Sequence, residues 1–240
     1  MADTGMIHGP VVQLPETNDL YIRKALTELS IASGEYLSHW QPQFNCPTGG
    51  SVPVGWAVGL AGSGAATDNV TNGKGGVFQL SSGATGSSSA ELTQRSAIIG
   101  RVAVDKWYTA VRLQVTTAID NQARVAFWHT NAAVNKTVGA GVFGALNSTN
   151  YVVQYDGDRT GSVIDLAVAV DTSWHVIEFW AAGSTTLKAR IDGGTTLTAT
   201  MSSAPSDAML FRTFHAGNGT TAAARTLNID WVLNVAQRMS

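Results

Sequence analysis

An all-β fold, two antiparallel sheets stacked face to face, with an N-terminal extended arm and one α-helix, is what this chain of 240 residues predicts. Three observations lead there. Short apolar–polar alternations, separated by Gly, Asn and Asp, recur from Gly75 to Val235. Charged residues make up 13% of the chain, well below the common quarter, while Gly, Ser, Thr and Ala are abundant. One stretch alone, Thr17 to Ala32, has helical periodicity.

The elements follow in order. Five of the six prolines lie at or before Pro53, and residues 1–16, with Pro10 and Pro15, read as an extended arm. In "TNDLYIRKALTELSIA" (17–32), Thr17 or Asn18 can cap a helix, Asp19 suits its positive end and Gly34 follows its close. Leu20, Ile22, Leu26 and Leu29, with Ala25, give that helix a broad apolar face. "GLAGSGAATDNVTNGKGG" (59–76) is Gly-rich without strand periodicity and reads as a surface loop.

Strands are expected at 75–80, 91–100, 107–115, 123–130, 151–155, 164–170, 174–181, 186–191, 196–201, 209–216 and 226–235. In "WYTAVRLQV", Val111, Leu113 and Val115 alternate with Arg112 and Gln114, which marks a strand with one wet face. "TLKARI" does the same with Leu187, Ala189 and Ile191 against Lys188 and Arg190. Asp192-Gly193-Gly194 then supplies glycines that accept the positive φ of a tight hairpin. Many antiparallel strands with one wet face are satisfied by two stacked sheets.

A formal net charge of −2 and scattered basic residues give no electrostatic reason for a nucleic-acid partner. No run approaches 18 consecutive apolar residues and the N-terminus lacks a signal pattern, so neither a membrane span nor secretion is expected. Cys46 is alone, so no intrachain disulfide forms. His8, His39, His129, His175 and His215 make no zinc-ligand spacing, and neither "GxSxG" nor a P-loop occurs. No cofactor and no metal are expected.

"DTSWHVIEFWAAGSTTLKARIDGG" resembles the central strands of concanavalin A-like (laminin-G-like) sandwiches, with Trp174-His175 opening one strand and Asp192-Gly193 closing the next. "VPVGWAVG" (52–59) is similar to their first strand and "LNIDWVLNV" (227–235) to their last. The resemblance runs from Asn45 to Val235 and implies a jelly-roll sandwich of the lectin and glucanase kind. Together with the arm, the helix and the Ala/Gly/Thr-rich loops, it resembles bacteriophage virion proteins that decorate capsids or sit in tails. That likeness implies an attachment or oligomerisation segment at 1–44 and a sandwich at 45–240. The implied protein is non-enzymatic and oligomeric. It is assembled in the host cytoplasm into a virion, foremost as a capsid-decorating protein with a capsid or tail protein as partner. The alternatives are a tail- or baseplate-associated carbohydrate-binding module that meets cell-surface glycan and, third, a glycan hydrolase or lyase.

Chemistry is sought at "WHVIEFWAAG" (174–183). Alternation puts Trp174, Val176, Glu178 and Trp180 on one face. Glycosidases of this sandwich carry carboxylates two residues apart on one strand; Val176 and Trp180 flank Glu178 instead, so a second carboxylate would have to come from another strand, such as Asp165 or Asp230. Trp174, Glu178 and Trp180 are candidate glycan-binding residues, since aromatics stack on sugars and a carboxylate holds hydroxyls. Packing under a loop, the helix or a neighbouring subunit, with Glu178 at the edge, is the reading the large area of tryptophan favours. Leu20, Ile22, Leu26 and Leu29 are the attachment residues, and Asp156 and Asp158 of "YDGDRTG" are weak calcium candidates beside a plain Asp-Gly turn.

Overall fold

The computed structural model describes residues 16–31, 36–41, 56–62, 66–70, 77–99, 106–115, 124–130, 136–143, 147–155, 163–183, 185–201, 210–219 and 222–237. Its elements are α1 (Glu16–Leu29), β1 (Tyr36–Gln41), β2 (Trp56–Ala61), β3 (Ala66–Val70), β4 (Val77–Ser81), β5 (Ser89–Ile99), β6 (Lys106–Val115) and β7 (Arg124–Thr130). They continue with β8 (Lys136–Phe143), β9 (Asn147–Tyr155), β10 (Val163–Ala169), β11 (Trp174–Ala182), β12 (Thr186–Ile191), β13 (Leu197–Thr200), β14 (Leu210–Gly217) and β15 (Thr226–Gln237).

The strands form two antiparallel sheets. Sheet A has the order β13-β12-β11-β6-β15-β4-β3, with β1 also paired to β15; sheet B has the order β10-β9-β8-β7-β14-β5-β2. Alternation drives the stacking. From sheet A, Val111, Leu113, Ile177, Phe179, Leu187 and Ile229 point inward; from sheet B, Leu92, Phe127, Val138, Tyr151, Val153 and Phe214 meet them, all buried. Phe127 touches Phe179 and Phe214 with ring centroids 6.2 and 5.0 Å apart, tying the two layers together.

A third layer lies outside sheet A. Ile22, Ala25 and Leu29 of α1 are buried against Tyr108, Trp180, Trp231, Leu233 and Val235. The helix stops in a Schellman arrangement. Ser30 takes φ 50°, its N–H donates to the Thr27 carbonyl at 3.2 Å, and the Ile31 N–H donates to the Leu26 carbonyl at 3.1 Å. The close therefore falls at Ser30 and ahead of Gly34.

This packing bears on the segment expected to be an attachment arm. α1 lies on sheet A, and β1 pairs along its length with β15, from Tyr36 opposite Gln237 to Gln41 opposite Val232. α1 and β1 thus pack as part of the sandwich. Ile22 and Leu29 are buried and Leu26 half-buried against the chain's own sheet, because that sheet presents apolar area which only a cover removes from water. Leu20 alone of the four stands exposed, at 52%. Residues 1–15, the boundary at 44/45, Cys46 and both calcium candidates, Asp156 and Asp158, lie outside the described residues.

Two further expectations are revised. β3 lies inside the stretch read as a loop, pairing from Ala66 opposite Ser81 to Val70 opposite Val77. β8, "KTVGAGVF", was not expected, since its glycines look like turn residues. Gly139 is there for space: a Cβ on it would lie 2.4 Å from Cε3 of Trp128. At the β12–β13 turn, positive φ falls on Asp192 (50°) and Gly193 (71°), with the Gly194 N–H bonded to the Ile191 carbonyl at 2.9 Å. Two successive positive φ values with this bond are the mark of a type I′ turn, and its first central position is aspartate instead of glycine.

Candidate functional site

β11 is central to the outer face of sheet A. His175, Ile177 and Phe179 point into the sandwich, and Trp174, Val176, Glu178 and Trp180 point out. Register puts Glu178 opposite Ala110 of β6 and Arg190 of β12, and Trp180 opposite Tyr108. α1 then covers the lower part of this face.

Glu178 is fully buried under the helix and its carboxylate is saturated. Arg190 donates to it twice, from Nε to Oε2 and from Nη2 to Oε1, each at 2.8 Å. The Tyr108 hydroxyl donates to Oε1, and Lys24 Nζ of α1 stands 3.7 Å from the same oxygen. The third side of the Arg190 fork, Nη1, donates to Glu28 of α1 at 2.8 Å. Arg190 also lies 5.0 Å from the Trp180 ring centroid. A buried charge without partners would be prohibitive; this one is paired and fully hydrogen-bonded.

The electrostatics follow. Burial works to raise the Glu178 pKa, yet the bonds from Arg190 and Tyr108 outweigh it and hold the carboxyl below its usual range. Burial first, and the Glu178 charge second, push the Tyr108 hydroxyl well up and that of Tyr21 up to about 12. Glu178 is thus a committed anion. A general acid needs the opposite, a carboxyl held neutral near working pH.

Beside the helix, Arg23, Lys24, Thr27, Glu28 and Arg190 line an open pocket of about 380 Å³. Arg190 there is already held by two glutamates, and Lys24 lies over the Tyr21 ring at 4.5 Å as well as near Glu178. The pocket's charges serve the helix–sheet joint.

At one end of the sandwich, His175 bridges two turns. Its Nδ1 is 2.6 Å from Asp192 Oδ2 and its Nε2 is 2.8 Å from Asp171 Oδ1, with the Tyr151 ring 4.7 Å away. Burial works to lower the His175 pKa, but the hydrogen bonds to Asp192 and Asp171 override it and the net direction is up. The bond from His175 holds Asp171 below its ordinary value. Asp165 and Asp230, the strand aspartates considered as second carboxylates, are held elsewhere: Asp165 by Asn150 at 3.0 Å and the Ala167 N–H at 2.8 Å, Asp230 by Arg112.

The three expected glycan residues therefore part company. Trp180 and Glu178 are fully buried, Trp180 in the apolar cluster that α1 covers and Glu178 beside Lys24 of the helix. Trp174 is half-exposed, with the Arg112 guanidinium 5.0 Å from its ring centroid. The correction has a simple cause: a face of Trp, Tyr and Leu side chains loses more surface to a docked helix than to water-exposed ligand binding. Arg190, Tyr108, Lys24 and Glu28 were not foreseen as partners. Counting equal steps either side of Ser184, between β11 and β12, would have set Arg190 opposite Glu178.

No protein-family model matches this chain, and no curated protein matches it. Solved structures do. A protein of unknown function from Shewanella oneidensis MR-1 superposes with a TM-score of 0.53 at 14% identity, covering 94% of this chain and 95% of that one. Winged bean acidic lectin, solved with methyl-α-D-galactose, gives 0.56 at 10% identity over 85% of this chain and 100% of the lectin. An alginate lyase of polysaccharide lyase family 7 gives 0.50 at 14% identity over 71% and 82%. With two antiparallel sheets in this order and these structural neighbours, the chain has the concanavalin A-like sandwich fold.

Proposed function

We propose that the protein is a non-enzymatic, glycan-binding sandwich of a bacteriophage virion, working through contact area and not proton transfer. The observation that carries the non-enzymatic part is the state of Glu178. The carboxylate framed by tryptophans is locked by Arg190 and Tyr108 and sealed by α1. Glycoside cleavage asks for a pair of accessible carboxyls in complementary protonation states. The glycan part is supported by the lectin whose whole length this fold covers, solved with a galactoside. An alginate lyase shares the fold, so the choice between binder and enzyme rests on the side chains.

The virion setting, as a capsid-decorating or a tail- or baseplate-associated protein and as a homo-oligomer, is supported by the loop composition and the sequence likeness described above. With the apolar face of α1 turned inward, contact with a capsid or tail partner passes to other surfaces, among them the tip of α1 at Leu20. A glycan array probed with the full chain tests the binding function; no signal above background refutes it. Release of reducing sugar by the wild-type chain refutes the non-enzymatic assignment. Absence of the protein from purified particles refutes the virion setting.

A further inference from the structure

Where α1 ends, the outer face of sheet A changes character. Beyond Trp231 the outward-facing row consists of amides. Register sets Gln79 of β4 opposite Asn228 of β15, Asn228 opposite Gln114 of β6, and Gln114 opposite Trp174 of β11, in a line perpendicular to the strands. At the β4 end of the line, Asp68 of β3 comes next in register. The side chains are joined head to tail. Gln79 Nε2 donates to Asn228 Oδ1 at 2.8 Å, Asn228 Nδ2 to Gln114 Oε1 at 2.7 Å, and Gln114 Nε2 to the Thr172 carbonyl at 2.6 Å. The line from Gln79 to Trp174 crosses four strands and spans ~14 Å at the usual strand separation. Trp174 closes it, its ring steadied by Arg112, whose charge is matched by Asp230.

The geometry points to this amide row and Trp174 as the binding surface for a neutral saccharide laid across the strands of sheet A. The inference rests on the glycan-binding function proposed above and assigns it a site. Each primary amide has two N–H donors and two carbonyl lone pairs. Within the row Asn228 and Gln114 each use one donor and one acceptor, and Gln79 uses one donor, which leaves the half-exposed glutamines with both functions to offer. The remaining donors and acceptors of Gln79 and Gln114 match a sugar hydroxyl, which is donor and acceptor at once. A tryptophan at the end of the row offers an apolar face to the C–H side of a sugar ring. Chaining the amides fixes their rotamers before a ligand arrives, which lowers the entropy lost on binding. Asn228, only 8% exposed, anchors the row, while Gln79, Gln114 and Trp174 stay half-exposed. The amides are uncharged and Arg112 is paired, so the site favours neutral glycans over uronates or sialosides.

The test uses the full chain in affinity electrophoresis with neutral polysaccharides (a β-glucan, a galactomannan, a xylan) and acidic ones (alginate, hyaluronan). Trp174→Ala, Gln114→Ala and Gln79→Ala are compared with Leu60→Ala, an exposed change on sheet B. Wild type is expected to bind at least one neutral polysaccharide with little salt dependence. Trp174→Ala should weaken this about tenfold or more and each glutamine change about three- to tenfold, with Leu60→Ala unchanged. Circular-dichroism melts check folding; the two surface glutamines keep the test intact if Trp174→Ala fails to fold. Equal binding by all variants overturns the site while leaving glycan binding standing. Salt-sensitive binding of acidic glycans alone overturns the neutral assignment. If wild type binds none of these polysaccharides, the site is refuted, and the glycan array decides the broader function separately.

Discussion

Replacing Glu178 by Gln removes one negative charge from beneath α1 and changes almost nothing in shape. Arg190, with a side chain only 12% exposed, then keeps Glu28 at 2.8 Å but loses its bidentate partner. A Gln carbonyl accepts one of the two guanidinium bonds, while its amide nitrogen confronts the other donor. Breaking a buried ion pair from one side costs about 3–5 kcal/mol, because the remaining charge stays buried and under-compensated. At ~3 °C per kcal/mol for a domain of this size, the melting temperature should fall by about 10 °C. Glu178→Met combined with Arg190→Met should lie within ~1 kcal/mol of wild type, since both desolvation penalties vanish together.

Acid adds an independent arm to this test. The folded-state pKa of Glu178 is lowered, so its contribution is present above the unfolded value and is lost as pH falls through the folded one. The gap between wild type and Glu178→Gln should therefore stay level at neutral pH and narrow below about pH 4, near the unfolded carboxyl value. Urea denaturation across pH measures it. A Gln variant within ~1 kcal/mol of wild type, or a double Met variant as unstable as the single change, refutes the account of a charge clamp holding the helix.

Two other outcomes follow from geometry. His175 has a raised pKa, so its clasp of Asp171 and Asp192 is at full strength below the unfolded histidine value of about 6.5 and weakens as pH rises through the folded one. The stability difference between wild type and His175→Gln should shrink from pH ~6 to pH ~8, and a flat difference refutes the clasp. Gly139→Ala should cost about 1–3 kcal/mol, since its Cβ would lie 2.6 Å from Trp128 Cδ2 and 2.8 Å from the Phe127 carbonyl oxygen. Gly217→Ala, whose Cβ would lie 2.5 Å from His215 Nε2, should destabilise as well, because that buried ring is held by Glu91 at 2.7 Å and has to give up this contact to move; thermal melts of the two variants measure both.

How far the sequence could be read depended on how each strand is faced. β6, β11 and β12 were legible because their inner residues alternate with outer ones of different chemistry. β3, "ATDNV", has a single large apolar residue, and β8 has two glycines, so neither shows a period. For the candidate site, alternation placed Trp174, Glu178 and Trp180 on one face, which the structure keeps. What lies over a face is a long-range fact. Whether Trp180 meets water or Leu29 and Ala25 depends on residues some 150 positions away, and the pattern on β11 is the same in either case. The helix stop was misplaced for a local reason: Ser30 took a left-handed conformation usually reserved for glycine.

β15, the last strand in chain order, runs through the middle of sheet A, flanked by β6 on one side and by β4 and β1 on the other. Trp231, Leu233 and Val235, on which α1 rests, belong to it as well. During synthesis the helix and first strand therefore leave the ribosome long before their seat exists. β6, β11, β12 and β13 can pair with one another earlier, as can β3 and β4, but β15 alone joins the two groups and seats β1, so the nascent chain carries unpaired strand edges until β15 emerges. Pairing over such sequence distances makes slow folding the expected regime for this molecule.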